Sequence, residues 1–571
     1  MNVEWSEEKL RFLASTEHVL ALGGPGSGKT HVSLVMAREL IRSGVLRAGQ
    51  KVLFLSFART TVSRILEKAT DLVPRAEMRQ LEVNTYHSFI WNILKAHAYL
   101  LNGIRRVTLL PPPEASAHMA DIEKPKREAE ALRLFKEEGR LHFDLFARIG
   151  AQLFDASSKL ASIYSSAYPI IVLDEFQDTD ADQWALMQHL GRKSRLVALG
   201  DPNQRIYEFR GADPARLGQF VQAMGAESFD FTGENHRSDG TDINQFSKDL
   251  LTGANKGKTY EHVKVVHYPF YKGRSIHFAT KTELLSAFRR LAKKPDSSIA
   301  LLVPTKAMMI DLSDYLSSTE NKLPSLAHEV AMDAEPPALA AGVIAAAMAG
   351  GPPGEIASRL VAALHTYIRG RGGRGGIPQS ELELAGAIGD FLAGGKVRGP
   401  KRKLLVDECR RVAAVCAGMA HTGNPEEDWV SVRQLFKESA APHLQKVYSD
   451  ARFLRLLHRG SALRTSLGEL WRTRGSYAGA EQAVRDALLQ EHFSAATTKS
   501  RGVHVMTMHK SKGKEFDEVI LSEGSFAGRF NGAPGDPKRV EQSRLALLVA
   551  VSRARTRTTV LTPKMFPCDL L

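Results

Sequence analysis

Gly23, Gly28, Lys29 and Thr30 fall at the spacing G-x-x-x-x-G-K-T in "GGPGSGKT" (Gly23–Thr30). Glycines at these places let backbone N–H groups approach a polyphosphate, and a helix starting at Lys29 adds positive potential at its N-terminus. Gly23, Gly24, Gly26, Ser27 and Gly28 are expected to cradle phosphates. Lys29 is expected at the β- and γ-phosphates and Thr30 at a Mg²⁺ ion. The other half of such a site lies in "IIVLDEFQDTD" (Ile170–Asp180). Asp174 ends an apolar run, where its carboxylate can reach the metal. Glu175 is placed to polarise a water for attack on the γ-phosphate. Together these residues describe ATP hydrolysis with Mg²⁺. A second D-E pair, in "LLVDEC" (Leu404–Cys409), reads as a surface turn.

Such groups need strands to hold them. "HVLALGG" (His18–Gly24) is a short apolar run stopped by glycine, a buried strand leading into the loop. Lys29–Gly44 follows with Val32, Val35, Met36, Leu40 and Ile41 on one helical stripe, and Gly44 suits a C-terminal cap. Residues 51–57, 168–175 and 194–201 read as further buried strands. Continuous apolar strands alternating with helices predict an α/β fold with a parallel sheet covered on both faces. The pattern returns at 297–305, 502–509, 517–524 and 558–563, as a second α/β unit. The helical, charged stretches in between are read as insertions into the two units. "ALAAGVIAAAMA" (Ala338–Ala349) reads as a buried helix, too short to span a bilayer, and no membrane association is expected.

The chain has 571 residues and a formal net charge of +14, which favours a polyanionic partner, nucleic acid first. Cys409, Cys416 and Cys568 fit neither a zinc site nor a disulfide framework, so a reducing, cytoplasmic compartment is expected. The charged start "MNVEWSEEKLRF" is not that of a signal peptide.

At "DEFQDTD" the sequence resembles the UvrD/Rep/PcrA-like superfamily 1 DNA helicases, whose motifs follow in order. Residues 56–65 and 84–91 look like motif Ia and the next DNA-contact motif. "GDPNQRIYEFRGAD" (Gly200–Asp213) is similar to motif III and "ENHRS" (Glu234–Ser238) to motif IV. Residues 505–521 look like motif V and 541–555 like motif VI. The resemblance implies two RecA-like parallel-sheet domains, each with a mainly helical inserted subdomain. The first would comprise 1–90 and 168–230, with insertion 91–167. The second would comprise 231–324 and 499–571, with a reduced insertion 325–498.

The same resemblance assigns roles. Gln204 would sense the γ-phosphate or its attacking water. Arg237 and Arg553 would reach the γ-phosphate, where fixed cations stabilise transition-state charge. Glu515 would touch the ribose. Phe57, Tyr207 and Phe209 would stack on bases of single-stranded DNA. Arg59, Thr85, His87, Arg210 and His509 would be further DNA contacts. The basic stretches Arg369–Arg374 and Lys401–Lys403 suit either duplex DNA or solvated loops. The implied activity is an ATP-dependent motor on single-stranded DNA and single–double-strand junctions, moving 3′ to 5′ as its two domains close and open.

The departures from the family's pattern cluster at the nucleobase. Lys9 stands near the place of a glutamine that reads the adenine edge, His31 at that of an arginine, and His236 at that of a tyrosine. Lysine only donates, whereas an amide donates and accepts. This predicts relaxed base selectivity and a weaker, pH-sensitive nucleotide affinity. The second insertion is short, and only 16 residues follow Arg555, so no nuclease domain is expected on this chain. The alternative reading is a nucleotide-gated DNA-end sensor, or a regulatory subunit beside a separate nuclease, in repair or in defence against phage. A P-loop kinase or GTPase would leave the later motifs unexplained.

Overall fold

The strands that carry the phosphate loop and the carboxylates are short and almost wholly apolar, and they fold as such sequences require. The computed structural model describes residues 5–204, 213–269, 276–331, 335–373, 376–452, 462–493 and 501–571. Among these residues fourteen strands follow in chain order. They are β1 (Val19–Leu22), β2 (Val52–Ser56), β3 (Leu81–Thr85), β4 (Thr108–Leu110), β5 (Arg140–His142), β6 (Ile170–Leu173) and β7 (Arg195–Gly200). Then come β8 (Glu227–Asp230), β9 (Val263–Tyr268), β10 (Ser298–Val303), β11 (His328–Val330), β12 (Gly502–Thr507), β13 (Phe516–Ser522) and β14 (Ala554–Pro563).

Contacts divide the chain into two units. The first takes in 1–90, 150–332 and 495–571 and contains two six-stranded sheets, ordered β3-β2-β6-β7-β1-β8 and β11-β12-β10-β13-β14-β9. Every pairing in both is parallel. All residues of β2, β6, β10 and β13 are buried, the signature of parallel strands covered on both faces. Val19, Ala21, Phe54 and Val172 pack with Phe12, Val32 and Met36 on one face of the first sheet. Each of the valine, phenylalanine and methionine side chains, fully buried, contributes about 1.5–3 kcal/mol. The helix Lys29–Arg42 starts directly at Gly28 and buries Val32, Val35, Met36 and Ile41. In the second sheet Ala300, Leu302, Val519 and Leu521 face one core, and Ile299, Leu301, Val303 and Ile520 face another.

The first sheet aligns the ends of its central strands. Asp174 N donates to Leu55 O at 2.8 Å, and Gly23 N to Gly200 O at 3.1 Å. The carboxyl ends of β6, β7 and β1 therefore deliver Asp174, Asp201 and the phosphate loop side by side, where ligands of open α/β sheets bind.

The second unit takes in 91–149 and 333–494. It holds the parallel pair β4–β5 and is otherwise mostly helical. The helix Glu335–Met348, the expected apolar helix, lies at its centre, with Ala340, Ala341, Val343, Ile344 and Ala345 at 0 % exposure. The two insertions share this core. A Cβ on Gly370 would stand 2.8 Å from Pro113 O and 3.2 Å from Ala117 Cβ, so glycine lets the helices Pro353–Gly370 and Pro112–His118 meet. Arg369 donates to Ala117 O at 2.8 Å and pairs with Asp121 at 2.5 Å, while Arg371 pairs with Asp450 at 3.0 Å. These two arginines of the glycine–arginine stretch are thus engaged in packing, whereas Arg374 lies outside the described residues. Lys401 and Lys403 are exposed and Arg402 half-buried on the helix Pro400–Ala417.

One expectation fails here. Leu404–Cys409 is not a surface turn: it lies inside the helix Pro400–Ala417, with Leu405, Val406 and Cys409 buried. Proline at the start and an apolar stripe through Val412, Ala413 and Cys416 outweigh the local D-E signal. Stretch 158–167, read as part of the first insertion, forms a helix tied to the first sheet's unit, where Lys51 N donates to Ala167 O at 2.9 Å. No helix among the described residues is long and apolar enough to cross a membrane.

Candidate nucleotide-binding site

The phosphate loop wraps one end of a cavity of about 640 Å³, within the roughly 300–1,000 Å³ range of ligand pockets. Gly24, Gly26, Ser27, Gly28, Lys29 and Thr30 line it, together with Lys9, His31, Asp174, Glu175, Gln204, His236, Arg237, Glu515 and Arg553. Gly23 stands just outside that wall and is held by β7 through Gly200. Gly26 has φ 83°, and a Cβ there would fall 2.4 Å from Asn235 Oδ1 and 2.8 Å from Arg237 Cβ. The backbone of 235–237 docks on the loop at this glycine, with His236 N donating to Gly26 O at 2.8 Å. Lys29 Nζ donates to Gly23 O, and to Gly24 O at 3.2 Å. Its pKa is lowered by burial, against the pull of Asp201, Glu175 and Asp174.

Asp174 and Glu175 share the floor. Ser56 Oγ donates to Asp174 Oδ2 at 3.1 Å. Burial, then the neighbouring Glu175, pushes the Asp174 carboxyl up to about 6. Burial works to raise Glu175 as well, but Lys512 and Lys29 hold it below the usual carboxylate range. Glu175 has φ 54° and ψ 37°, a left-handed conformation that costs a non-glycine residue of order 1–3 kcal/mol. Gln177 Nε2 fixes its carboxylate at 2.6 Å. The residues fit Mg²⁺ with a nucleotide. Mg²⁺ uses one or two protein oxygens plus phosphates and waters, and Thr30 and Asp174 offer a hydroxyl and a carboxylate in one cavity.

Glu515, Arg553 and Arg555 stand at the amino ends of β13 and β14. Arg553 is 2 % exposed; its Nη2 donates to Gln204 Oε1 at 2.9 Å and its Nε to Val549 O at 2.8 Å. Burial, then Arg237, lowers its pKa to about 9, which leaves it charged at neutral pH. Gln204 in turn donates to Asp201 Oδ2 at 2.6 Å. Arg237 Nε donates to Glu515 Oε1 at 2.8 Å. Arg64 also pairs with Oε1 and Arg555 with Oε2 at 3.1 Å. Burial opposes ionisation of Glu515, but Arg237 and Arg64 hold its carboxyl well below the usual range. The carboxylate expected at a ribose is therefore also the hub of three guanidiniums.

Beside Gly28 of the phosphate loop, Lys9 pairs with Glu234, and His236 Nε2 lies 3.0 Å from Glu234 Oε2. The Trp5 and His31 rings stack with centroids 5.6 Å apart. Burial, then Lys68 and Lys9, lowers the His31 pKa.

Of the residues expected at DNA, Phe57 and Arg59 follow β2, and His87 follows β3, at the carboxyl edge of the first sheet. Phe57 is half-buried, its ring centroid 4.7 Å from that of Tyr86. Thr85 is buried, and its Oγ1 accepts from Ser88 N at 3.0 Å, a local cap of the helix Tyr86–His97. His509 is exposed just after β12. Tyr207, Phe209 and Arg210 lie outside the described residues.

Sequence reasoning missed several charged groups. Lys512 Nζ reaches Asp178 Oδ2 at 2.5 Å, Gln204 O at 2.6 Å and Glu175 Oε2 at 3.7 Å. Lys512 lies in "KSKGKEF" and Asp178 in "DEFQD", so both motifs held the signal. Glu234 sits beside His236 in the same way. Trp5, Arg64 and Lys68 carried no signal of their own; only folding places them at the cavity wall.

Two parallel sheets of this order, with a phosphate loop after β1 and arginines beside β14, define a protein of the P-loop, RecA-like class. Residues 5–138 and 114–224 match the UvrD/REP helicase N-terminal domain. The chain is 26 % identical over 324 residues to the putative ATP-dependent DNA helicase YjcD of Bacillus subtilis, covering 47 % of this chain and 42 % of that protein. It is 25 % identical over 290 residues to the ATP-dependent DNA helicase PcrA of Staphylococcus aureus, covering 43 % and 39 %. A segment of 137 residues, 23 % of this chain, is 34 % identical to the RecBCD enzyme subunit RecB of Mycobacterium tuberculosis, 12 % of that protein. The chain thus spans less than half the length of these relatives. Its similarity is to UvrD/PcrA-like helicases, and the family model covers residues 5–224.

Proposed function

We propose that this chain is a DNA-dependent ATPase that moves along single-stranded DNA, 3′ to 5′, and opens duplexes at junctions. The observation that supports it most is one cavity joining Lys29, Thr30, Asp174, Glu175 and Gln204 to Arg237 and Arg553. The bound Mg²⁺–ATP would supply an activated phosphoryl group. Thr30 and Asp174 would hold the metal, Lys29 the β- and γ-phosphates, and Glu175 would take the proton of the attacking water. Arg553 contacts Gln204, so the amino end of β14 and the carboxyl end of β7 meet at this cavity. Hydrolysis that weakens the hold of Arg237 and Arg553 would loosen that meeting, and repeated closing and opening of two DNA-bound sheets is stepping. Phe57 would serve as a stacking platform, worth about 1–3 kcal/mol per base.

A second reading, a subunit that acts with a separate nuclease, draws on the segment similar to RecB. ATP hydrolysis with and without single-stranded DNA, and unwinding of duplexes carrying a 3′ or 5′ tail, test both. Unwinding of 3′-tailed duplexes by the lone chain supports the motor. DNA-stimulated hydrolysis without unwinding supports the subunit. Hydrolysis indifferent to DNA refutes both.

A further inference from the structure

Three cations on the wall of the nucleotide cavity have no part in the phosphoryl chemistry proposed above: Arg64, Lys68 and Arg555. Arg64 and Lys68 stand four residues apart on the helix Arg59–Leu72, so their side chains share one face. Arg555 comes from the amino end of β14. The Glu515 carboxylate gathers them. Its Oε1 pairs with Arg64 and its Oε2 with Arg555 at 3.1 Å, and Arg64 Nη1 also donates to Gly513 O at 2.7 Å. Lys68 is exposed and makes no ion pair among the described residues; the charges that act on it most strongly are those of Arg64 and Glu515. We infer that this edge of the cavity binds a nucleotide carrying a further phosphate, esterified to a hydroxyl of its ribose. The inference rests on the nucleotide reading above and on Glu515 as the ribose contact within it.

Charge points to a phosphate. Arg64, Lys68 and Arg555 bring three positive charges to the single negative charge of Glu515, an excess of two. A plain ribose offers nothing to balance it, and the triphosphate already has Lys29, Arg237 and Arg553. A phosphate monoester carries about −1.5 to −2 near pH 7. The donors also suffice. Arg64 spends Nη1 on Gly513 and Nη2 on Glu515, and Arg555 spends Nη2 on Glu515. A guanidinium has five N–H groups and an ammonium three, so donors remain on both arginines and all of those on Lys68. Such charge-assisted bonds to phosphate oxygens are the strong kind. The ribose hydroxyl left free would donate to Glu515, which thus reads one hydroxyl while the cations read the phosphate on the other. With its 5′-phosphates on the loop, such a nucleotide takes the place of ATP. It is a competing, regulatory ligand rather than a fuel.

Calorimetric displacement of ADP from the full chain by AMP, adenosine 3′,5′-bisphosphate and adenosine 2′,5′-bisphosphate tests this without reference to turnover. At least one bisphosphate is expected to bind roughly 10- to 100-fold more tightly than AMP at low salt, and the arm that gains identifies the hydroxyl. The gain should shrink in high salt, because the cluster is partly open to solvent. Lys68→Ala should bring the ratio of bisphosphate to AMP affinity below about threefold, and Arg555→Gln should lower it in the same direction. A ratio taken within one variant is insensitive to a general loss of binding, and melting temperature establishes that each variant is folded. Bisphosphates no tighter than AMP, or a gain that both folded variants leave unmoved, overturns the inference and leaves the nucleotide site standing. Failure of ADP itself to bind overturns the nucleotide reading, and the inference with it.

Discussion

Lys512→Met removes an ammonium that is 5 % exposed and bonded to Asp178 Oδ2 at 2.5 Å and Gln204 O at 2.6 Å. Asp178 is itself 1 % exposed, and its Oδ1 has no hydrogen-bond partner among the described residues. Taking one member from a buried ion pair costs about 3–5 kcal/mol when the other stays charged. Asp178 has an escape, because it can take up a proton. Burial already pushes its carboxyl up to about 7 against the pull of Lys512, with Glu175 and Asp174 adding to the rise. The folded state therefore keeps a proton that the unfolded chain has released. Stability from this group falls as pH rises from about 4 towards 7, by up to about 1.4 kcal/mol per unit, and is level above 7. Without Lys512 the folded value climbs further, so the decline continues past pH 7. The loss relative to wild type should be about 1–3 kcal/mol at pH 6 and about 3–5 kcal/mol at pH 9. Urea unfolding followed by tryptophan emission reads it locally, since Trp184 packs edge-on against Phe176 beside the site, centroids 5.4 Å apart. Asp178→Asn on the Lys512→Met background should recover most of the loss at pH 9. An equal loss at both pH values, or no rescue when Asp178→Asn is added, would refute the reasoning.

Gly26→Ala should weaken ADP binding at least tenfold and destabilise by about 1–3 kcal/mol, because its Cβ meets Asn235 and Arg237 at a φ of 83°; calorimetry and melting check it, and near wild-type binding would contradict the docking of 235–237 on the loop. Arg553→Lys should lower kcat by at least about 10³-fold if the guanidinium stabilises transition-state charge, and a loss under tenfold in steady-state hydrolysis would speak against that role. Glu515→Gln removes the shared anion of Arg64, Arg237 and Arg555. A depressed carboxyl contributes stability above its unfolded value that is lost as pH falls through the folded one, so the variant should melt earlier at neutral pH and lose part of the wild-type acid limb. Thermal melts from neutral to acid pH check it, and identical curves for the two proteins would contradict it. Phe57→Ala should weaken single-stranded DNA binding by about 1–3 kcal/mol in fluorescence anisotropy, and an unchanged affinity would remove Phe57 from the DNA path.

The parallel sheets were legible because β1, β2, β6, β7, β10, β12 and β13 are nearly continuous apolar runs. β8 (Glu227–Asp230) and β9 (Val263–Tyr268) were not, since edge strands mix buried and exposed residues over a few positions. The loop and the D-E pair, which the fold brings to one cavity, were legible from spacing alone, as each is local. Glu234 and Lys512 were hidden because their roles come from partners 225 and 334 residues away in sequence, Lys9 and Asp178. The D-E pair at Asp407–Glu408 misled because a two-residue signal says nothing of the helix around it.

The strand order of the second sheet bears on how the chain is made. β9, β10 and β11 are complete by Val330, yet none neighbours another: β12 separates β11 from β10, and β13 and β14 separate β10 from β9. All three dividers begin at Gly502 or later. At roughly 5–20 residues per second of synthesis, the early strands wait on the order of ten seconds or more for their first partner. During that wait Ile299–Val303 and Val263–Tyr268 are apolar edges without a sheet. A nascent chain halted before Gly502 should therefore carry a finished first sheet and an unpaired, chaperone-dependent remainder, so that this half of the molecule matures after translation of its last strand rather than during it.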